Sequence, residues 1–244
     1  MYGVTINHRI SFIMRAALWL KCLCKSMTKP PLKFGKSHYD EQIRLDINRT
    51  FPENKWFEPH HKTLIDILNA FCIVNEGLGY PQGLNFIVFP LYYVYYNDDE
   101  KTAVENTFYS LHGILRFVLP TYPLNAKDTN VLKKIESISN LVCYSCYEKE
   151  SKLSILLKDP HRQFMVSIVC NVIPTLYANV FDLDDVLILW DSFFSISKEQ
   201  MFQSVINVLV KVILFHKNIF IYLSPDKSFQ IFHSILRVSI SACA

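Results

Sequence analysis

Apolar positions recur along the chain with the three-to-four-residue spacing of helices that turn one face to a core. Ile10–Cys24 reads as a first helix, with Arg15 and Trp19 one turn apart, and Lys29-Pro30-Pro31 stops it. Lys33–Tyr39 is polar and basic, a loop. Asp40–Asn48 carries Ile43 and Ile47 one turn apart and ends at Thr50-Phe51-Pro52, because proline cannot continue a helix and biases its predecessor to extended backbone. Lys62–Asn75 presents Leu64, Ile65, Leu68, Phe71 and Cys72 on one face. An apolar run then leads to Tyr96. Ala103–Phe117, Val131–Cys146, a segment around 163–173, Asp182–Ser195, Lys198–Phe215 and Phe229–Ser239 complete about ten predicted helices. No stretch alternates convincingly as a strand would, and no repeat is visible. The expected architecture is an irregular all-α domain in two lobes with a seam near residue 125.

Two long apolar stretches raise the question of a membrane span. Gln163–Phe181 has no charge over 19 residues but contains Asn171, Pro174 and Asn179. Val205–Leu223 is broken by Lys211, His216 and Lys217. Both read as buried helices, so no transmembrane span is expected. The N-terminal segment has Arg15 inside its apolar core and reads as an amphipathic helix rather than a secretory signal.

Composition narrows the function. Half of the 244 residues are hydrophobic and 14% are aromatic, which excludes intrinsic disorder. Lys and Arg number 25 against 22 Asp and Glu, a net charge of +3. So even a balance gives no electrostatic basis for nucleic-acid binding. Seven cysteines, an odd number, are scattered along the chain, as fits free thiols in a reducing compartment. Cys143-x-x-Cys146 and Cys22-x-Cys24 lack the matching ligand pair that a zinc site needs, so no metal is expected and the Cys143/Cys146 pair reads as core thiols. His60-His61 reads as part of a solvated loop. No phosphate-binding glycine loop, nucleophile elbow or zincin motif occurs.

Two short stretches carry the candidate chemistry. In Ile43–Pro52, Asp46 and Arg49 are three apart at a helix end, close enough to pair; alone they would pass for a surface ion pair. Gly77–Gly83 concentrates half of the six glycines in seven positions. There Pro81 would occupy the first turn of a helix through Leu84–Tyr96 and Gln82 would project from its entrance. Alone, Gln82 would pass for an ordinary polar residue.

Together the stretches resemble the TBC-domain family, the GTPase-activating proteins of Rab GTPases. Ile43, Asp46 and Arg49 match the family's I-x-x-D-x-x-R signature, with Thr50 and Pro52 following. Tyr80, Gln82 and Gly83 match its Y-x-Q-G signature. Arg15-x-x-x-Trp19 resembles the opening helix, and Trp190-Asp191 with Phe193-Phe194 resembles a late W-D segment. The departures are Asn171-Val172, where the family usually has Arg-Trp, and Pro81 after Tyr80. The likeness covers roughly residues 9–222, leaving 1–8 as a tail and 223–244 as a C-terminal helical segment.

The resemblance implies an activator of the partner's GTP hydrolysis rather than an enzyme with its own substrate. Its partner would be a Rab-family small GTPase in the GTP state, which brings the GTP and Mg²⁺; no cofactor of its own is implied. Arg49 and Gln82 would be the catalytic arginine and glutamine fingers, with Asp46, Tyr80 and Gly83 supporting them. The setting implied is vesicle trafficking in the cytoplasm, with peripheral recruitment to endomembranes through the partner. A TBC-fold scaffold without activity is the alternative. Arg15, Trp19, Trp190 and Asp191 read as structural.

Overall fold

A computed structural model describes residues 10–25, 27–118 and 129–235. Its regular structure in that range is helical: α1 Phe12–Cys24, α2 Asp40–Asn48, α3 His61–Val74, α4 Leu84–Asp98, α5 Glu100–Val118, α6 Thr129–Lys149, α7 His161–Val172, α8 Leu183–Phe194, α9 Lys198–Phe215, α10 Lys217–Tyr222 and α11 Pro225–Ile235. Short 3₁₀ turns cover Glu58–His60 and Ser151–Leu157. The seam expected near residue 125, the 1–8 tail and the end of the last expected helix lie outside the described residues.

Local chemistry accounts for many of the boundaries. Ser11 caps α1 by accepting from the Met14 N–H, and Ser197 with Gln200 forms a capping box on α9. Asp40 and Glu41 open α2, and Asp184 and Asp185 open α8, where acids complement the helix dipole. α4 is buried around its whole circumference, as befits the central helix of its lobe. It packs against α1, α3 and α5. α6, α7, α9, α10 and α11 pack with the Ser151–Leu157 turn into a second group, and α8 joins the two through α1 and α4. No helix among the described residues is long and apolar enough to cross a membrane. The first apolar stretch divides instead: α7 stops at Val172, and residues 173–181 form consecutive turns.

A buried ion pair and packed aromatic rings join α1 to α8. The buried Arg15 donates from Nε and Nη2 to the Asp191 carboxylate at 2.8–3.0 Å. The Trp19 indole N–H donates to the same carboxylate at 2.9 Å. Trp19 packs on Trp190 and Phe194, with centroids 5.5 Å away in both cases. The Trp190 indole in turn donates to the Leu176 carbonyl at 2.9 Å. Arg15, Trp19, Trp190 and Asp191 are thus structural, as their sequence context suggests.

Two local expectations are corrected. Phe51 is not extended despite the proline after it; its φ is +49°, held by ring contacts with Phe57, Phe86 and Phe89. His60 is not in a solvated loop. It lies half-buried against Trp56, Tyr92 and Tyr96. Cys143 and Cys146 are fully buried on α6, and burial pushes their thiols up to about 11 and about 12.

Candidate functional site

α2 has its buried face on Ile43, Asp46 and Ile47, and Arg49 forms its C-cap. This placement buries the carboxylate and leaves the guanidinium outside. The Asp46 side chain is 4% exposed and that of Arg49 is 70% exposed, yet the Arg49 Nη2 donates directly to Asp46 Oδ1. The guanidinium is therefore tethered through one of its terminal nitrogens while most of the side chain stays open to solvent. Such a pair suits a guanidinium that must reach a ligand without swinging freely.

The Gln82 segment is shaped by a tight turn. The Leu84 N–H donates to the Pro81 carbonyl at 3.3 Å, and Gly83 sits at the third position with φ +101°. That left-handed backbone suits glycine. Gly83 is the N-cap of α4, so Pro81 lies before the helix and not in its first turn as the sequence suggests. Gln82 stays at the exposed corner of the turn. Tyr80 is buried below it, its ring centroid 6.4 Å from that of Tyr39.

A clamp connects the two segments. The buried Thr50 hydroxyl donates to the Asp46 carbonyl at 2.5 Å. Asn85, in the first turn of α4, donates from Nδ2 to the Thr50 hydroxyl at 2.6 Å. The end of α2 and the start of α4 are thus held by one chain of hydrogen bonds. No sequence signal marks Asn85 for this role, although it follows Gln82 by only three positions.

Asp46, Arg49, Gln82 and Gly83 line one open groove of about 670 Å³, with Asn85 and Phe86 on the same side. Tyr80 does not line it; it supports the turn from below. Arg49 is the sole cationic side chain among the residues lining this groove. The opposite wall comes from α7 and the turns after it, through residues that include Asn171, Thr175 and Asn179. Asn171 and Asn179 were legible in the sequence as polar interruptions of an apolar stretch, and Thr175 was not singled out. A second groove of about 900 Å³, reaching Trp56 and Asp182, shares Arg49, Phe86 and Asn179 with the first. Among the described residues no cluster of three or more His, Cys, Asp or Glu is arranged to hold a metal ion.

Comparison with known proteins identifies the family and the fold. The Rab-GTPase-TBC domain profile matches residues 14–220. Growth hormone-regulated TBC protein 1 of Homo sapiens is 27% identical over 180 residues, covering 70% of this chain and 48% of that protein. TBC1 domain family member 2A of Mus musculus is 32% identical over 162 residues, covering 62% of this chain and 16% of that protein. The chain spans about half the length of the growth hormone-regulated relative and far less of the second. The crystal structure of the Ypt/Rab-GAP domain of Gyp1p superposes with a TM-score of 0.57 at 18% identity, covering 93% of this chain and 73% of that one. At that identity the likeness speaks for the fold. With the profile spanning most of its length, the chain belongs to the Rab-GTPase-TBC domain family.

Proposed function

We propose that this chain accelerates GTP hydrolysis on a Rab-type small GTPase in its GTP state, supplying Arg49 as an arginine finger and Gln82 as a glutamine finger. The observation that carries the proposal is the single groove in which an anchored, exposed guanidinium and an exposed primary amide stand together. Hydrolysis of GTP needs charge stabilised on the transferring phosphoryl group and a water held in line. The Arg49 guanidinium is planar, permanently charged and a multiple donor, which suits the phosphoryl oxygens. The Gln82 amide accepts and donates at once, which suits a water that must be both held and aimed. Asp46 orients the Arg49 guanidinium through Nη2, and Tyr80 and Gly83 set the turn beneath Gln82. An arginine finger is worth ~10³–10⁵ in rate, or roughly 4–7 kcal/mol of barrier. GTP and Mg²⁺ belong to the partner on this reading, and recruitment to a membrane would come through that partner.

The test is phosphate release from a panel of GTP-loaded Rab GTPases with catalytic amounts of this protein. Acceleration of one or a few members supports the proposal and identifies the substrate. GTP-dependent binding without acceleration of any member would overturn it in favour of a scaffold.

A further inference from the structure

Gln82 itself makes no side-chain hydrogen bond among the described residues, so its aim depends on the backbone of its turn. One wall of that turn is made by the other helical group. Residues 173–181 run through left-handed backbone at Leu176 and Tyr177, with φ of +48° and +70°, and are tied to α8 and α9 by hydrogen bonds. The Tyr177 hydroxyl donates to the Val205 carbonyl at 2.5 Å, and the Leu176 carbonyl accepts the Trp190 indole N–H. Within this segment Thr175 is 4% exposed. Its hydroxyl donates to Asn179 Oδ1 at 2.6 Å, with the Val172 carbonyl a second acceptor at 3.1 Å. Asn179 Nδ2 donates in turn to Asn171 Oδ1 at 2.8 Å and to the Asn171 carbonyl at 3.1 Å. The hydroxyl bonds fix the Thr175 rotamer, and with it the direction of its methyl group.

That methyl group abuts the Gln82 turn. A Cβ built on Gly83 would lie 3.0 Å from Thr175 Cγ2. The two are therefore in contact across the groove, one residue from Gln82. We propose that Thr175, locked by the Asn171–Asn179 amide pair, is a positioning residue that acts through Gly83 to set the reach of Gln82. The inference rests on the reading of Gln82 as the water-positioning amide. It also gives the departure at Asn171 a role: this amide takes part in bracing the opposite wall.

The test is a double-mutant cycle in single-turnover GTP hydrolysis on the substrate Rab, with thermal melting of each variant as a control. Thr175→Ser keeps the hydroxyl and removes the methyl group; Thr175→Val keeps the methyl group and removes the hydroxyl. Misplacement of a catalytic group by about 1 Å costs up to ~10²-fold. Thr175→Ser should therefore lower kcat about tenfold with KM little changed, and Thr175→Val, which keeps the methyl group but releases the lock, should fall between Thr175→Ser and the parent. In the Gln82→Ala background Thr175→Ser should have no further effect. If Gln82→Ala is crippled and Thr175→Ser is fully active, the positioning role is overturned. It is also overturned if Thr175→Ser adds its full factor to Gln82→Ala, since Thr175 would then act elsewhere. A fully active Gln82→Ala would instead show that the glutamine reading has failed, and the positioning role with it.

Discussion

Replacing Asp191 by alanine removes the acceptor shared by α1 and α8. Three hydrogen bonds from Arg15 and one from Trp19 converge on this carboxylate, all between 2.8 and 3.0 Å. The variant leaves a guanidinium only 6% exposed with no counter-charge, and a fully buried indole N–H with no acceptor. Breaking one side of a buried pair costs about 3–5 kcal/mol. An unsatisfied buried donor costs about 1–3 kcal/mol on its own. The two costs share one acceptor and do not simply add, so about 4 kcal/mol is the working figure. For a domain of this size each kcal/mol lowers the melting temperature by about 2–4 °C, giving a fall of about 8–16 °C. Thermal unfolding followed by far-ultraviolet circular dichroism reads this directly. The double variant Arg15→Met/Asp191→Leu should regain part of the loss, because it removes the stranded charge. If Asp191→Ala melts within about 2 °C of the parent, the carboxylate does not hold the two helices together.

Three further outcomes follow from the packing. Gly113→Ala would drive a Cβ into the Leu23 carbonyl, with Leu23 C and Cβ both at 2.8 Å, and should destabilise the chain by about 1–3 kcal/mol in urea unfolding by prising α1 from α5. Asn85→Ala should cost about 1–2 kcal/mol of stability and lower GTPase activation as well, because it releases the Thr50 clamp between the Arg49 and Gln82 segments. Burial holds His112 below its ordinary 6.5, and the ring is committed as a neutral imidazole: Nδ1–H donates to the Phe108 carbonyl and Nε2 accepts from Asn75. His60, His161 and His216 are lowered by burial too. In each case the unfolded chain binds the proton first, so the stability is fully present above pH 6.5 and is lost as pH falls below it. Urea midpoints should be flat above neutrality and decline toward pH 5.5, with a shallower decline in His112→Gln.

Much of the helical frame was legible because its signals are local. α2 and α9 have the bounds that periodicity and flanking residues suggest, Asp40–Asn48 and Lys198–Phe215. The Asp46–Arg49 pair was legible for the same reason, as both residues lie on one helix end. Short elements were missed: six residues of α10 and the two 3₁₀ turns are too brief to display a period. Pro81 misled, since a proline suits both a helix start and a tight turn, and the positive φ of Gly83 decided for the turn. The packing of the opposite wall against the Gln82 turn was not legible. Thr175 meets Gly83 only through packing between segments about ninety residues apart, and no spacing rule carries such a contact.

If Arg49 and Gln82 do the chemistry on a bound GTPase, single-turnover phosphate release from the GTP-loaded substrate Rab will separate the parent from Arg49→Lys and Gln82→Ala. Both variants should melt like the parent, and Arg49→Lys should lose ~10³-fold or more of the acceleration because lysine cannot reproduce the fork. Gln82→Ala should lose a large share of it as well. Folded variants that accelerate hydrolysis as well as the parent would show that these two side chains are not the ones that act on the GTP.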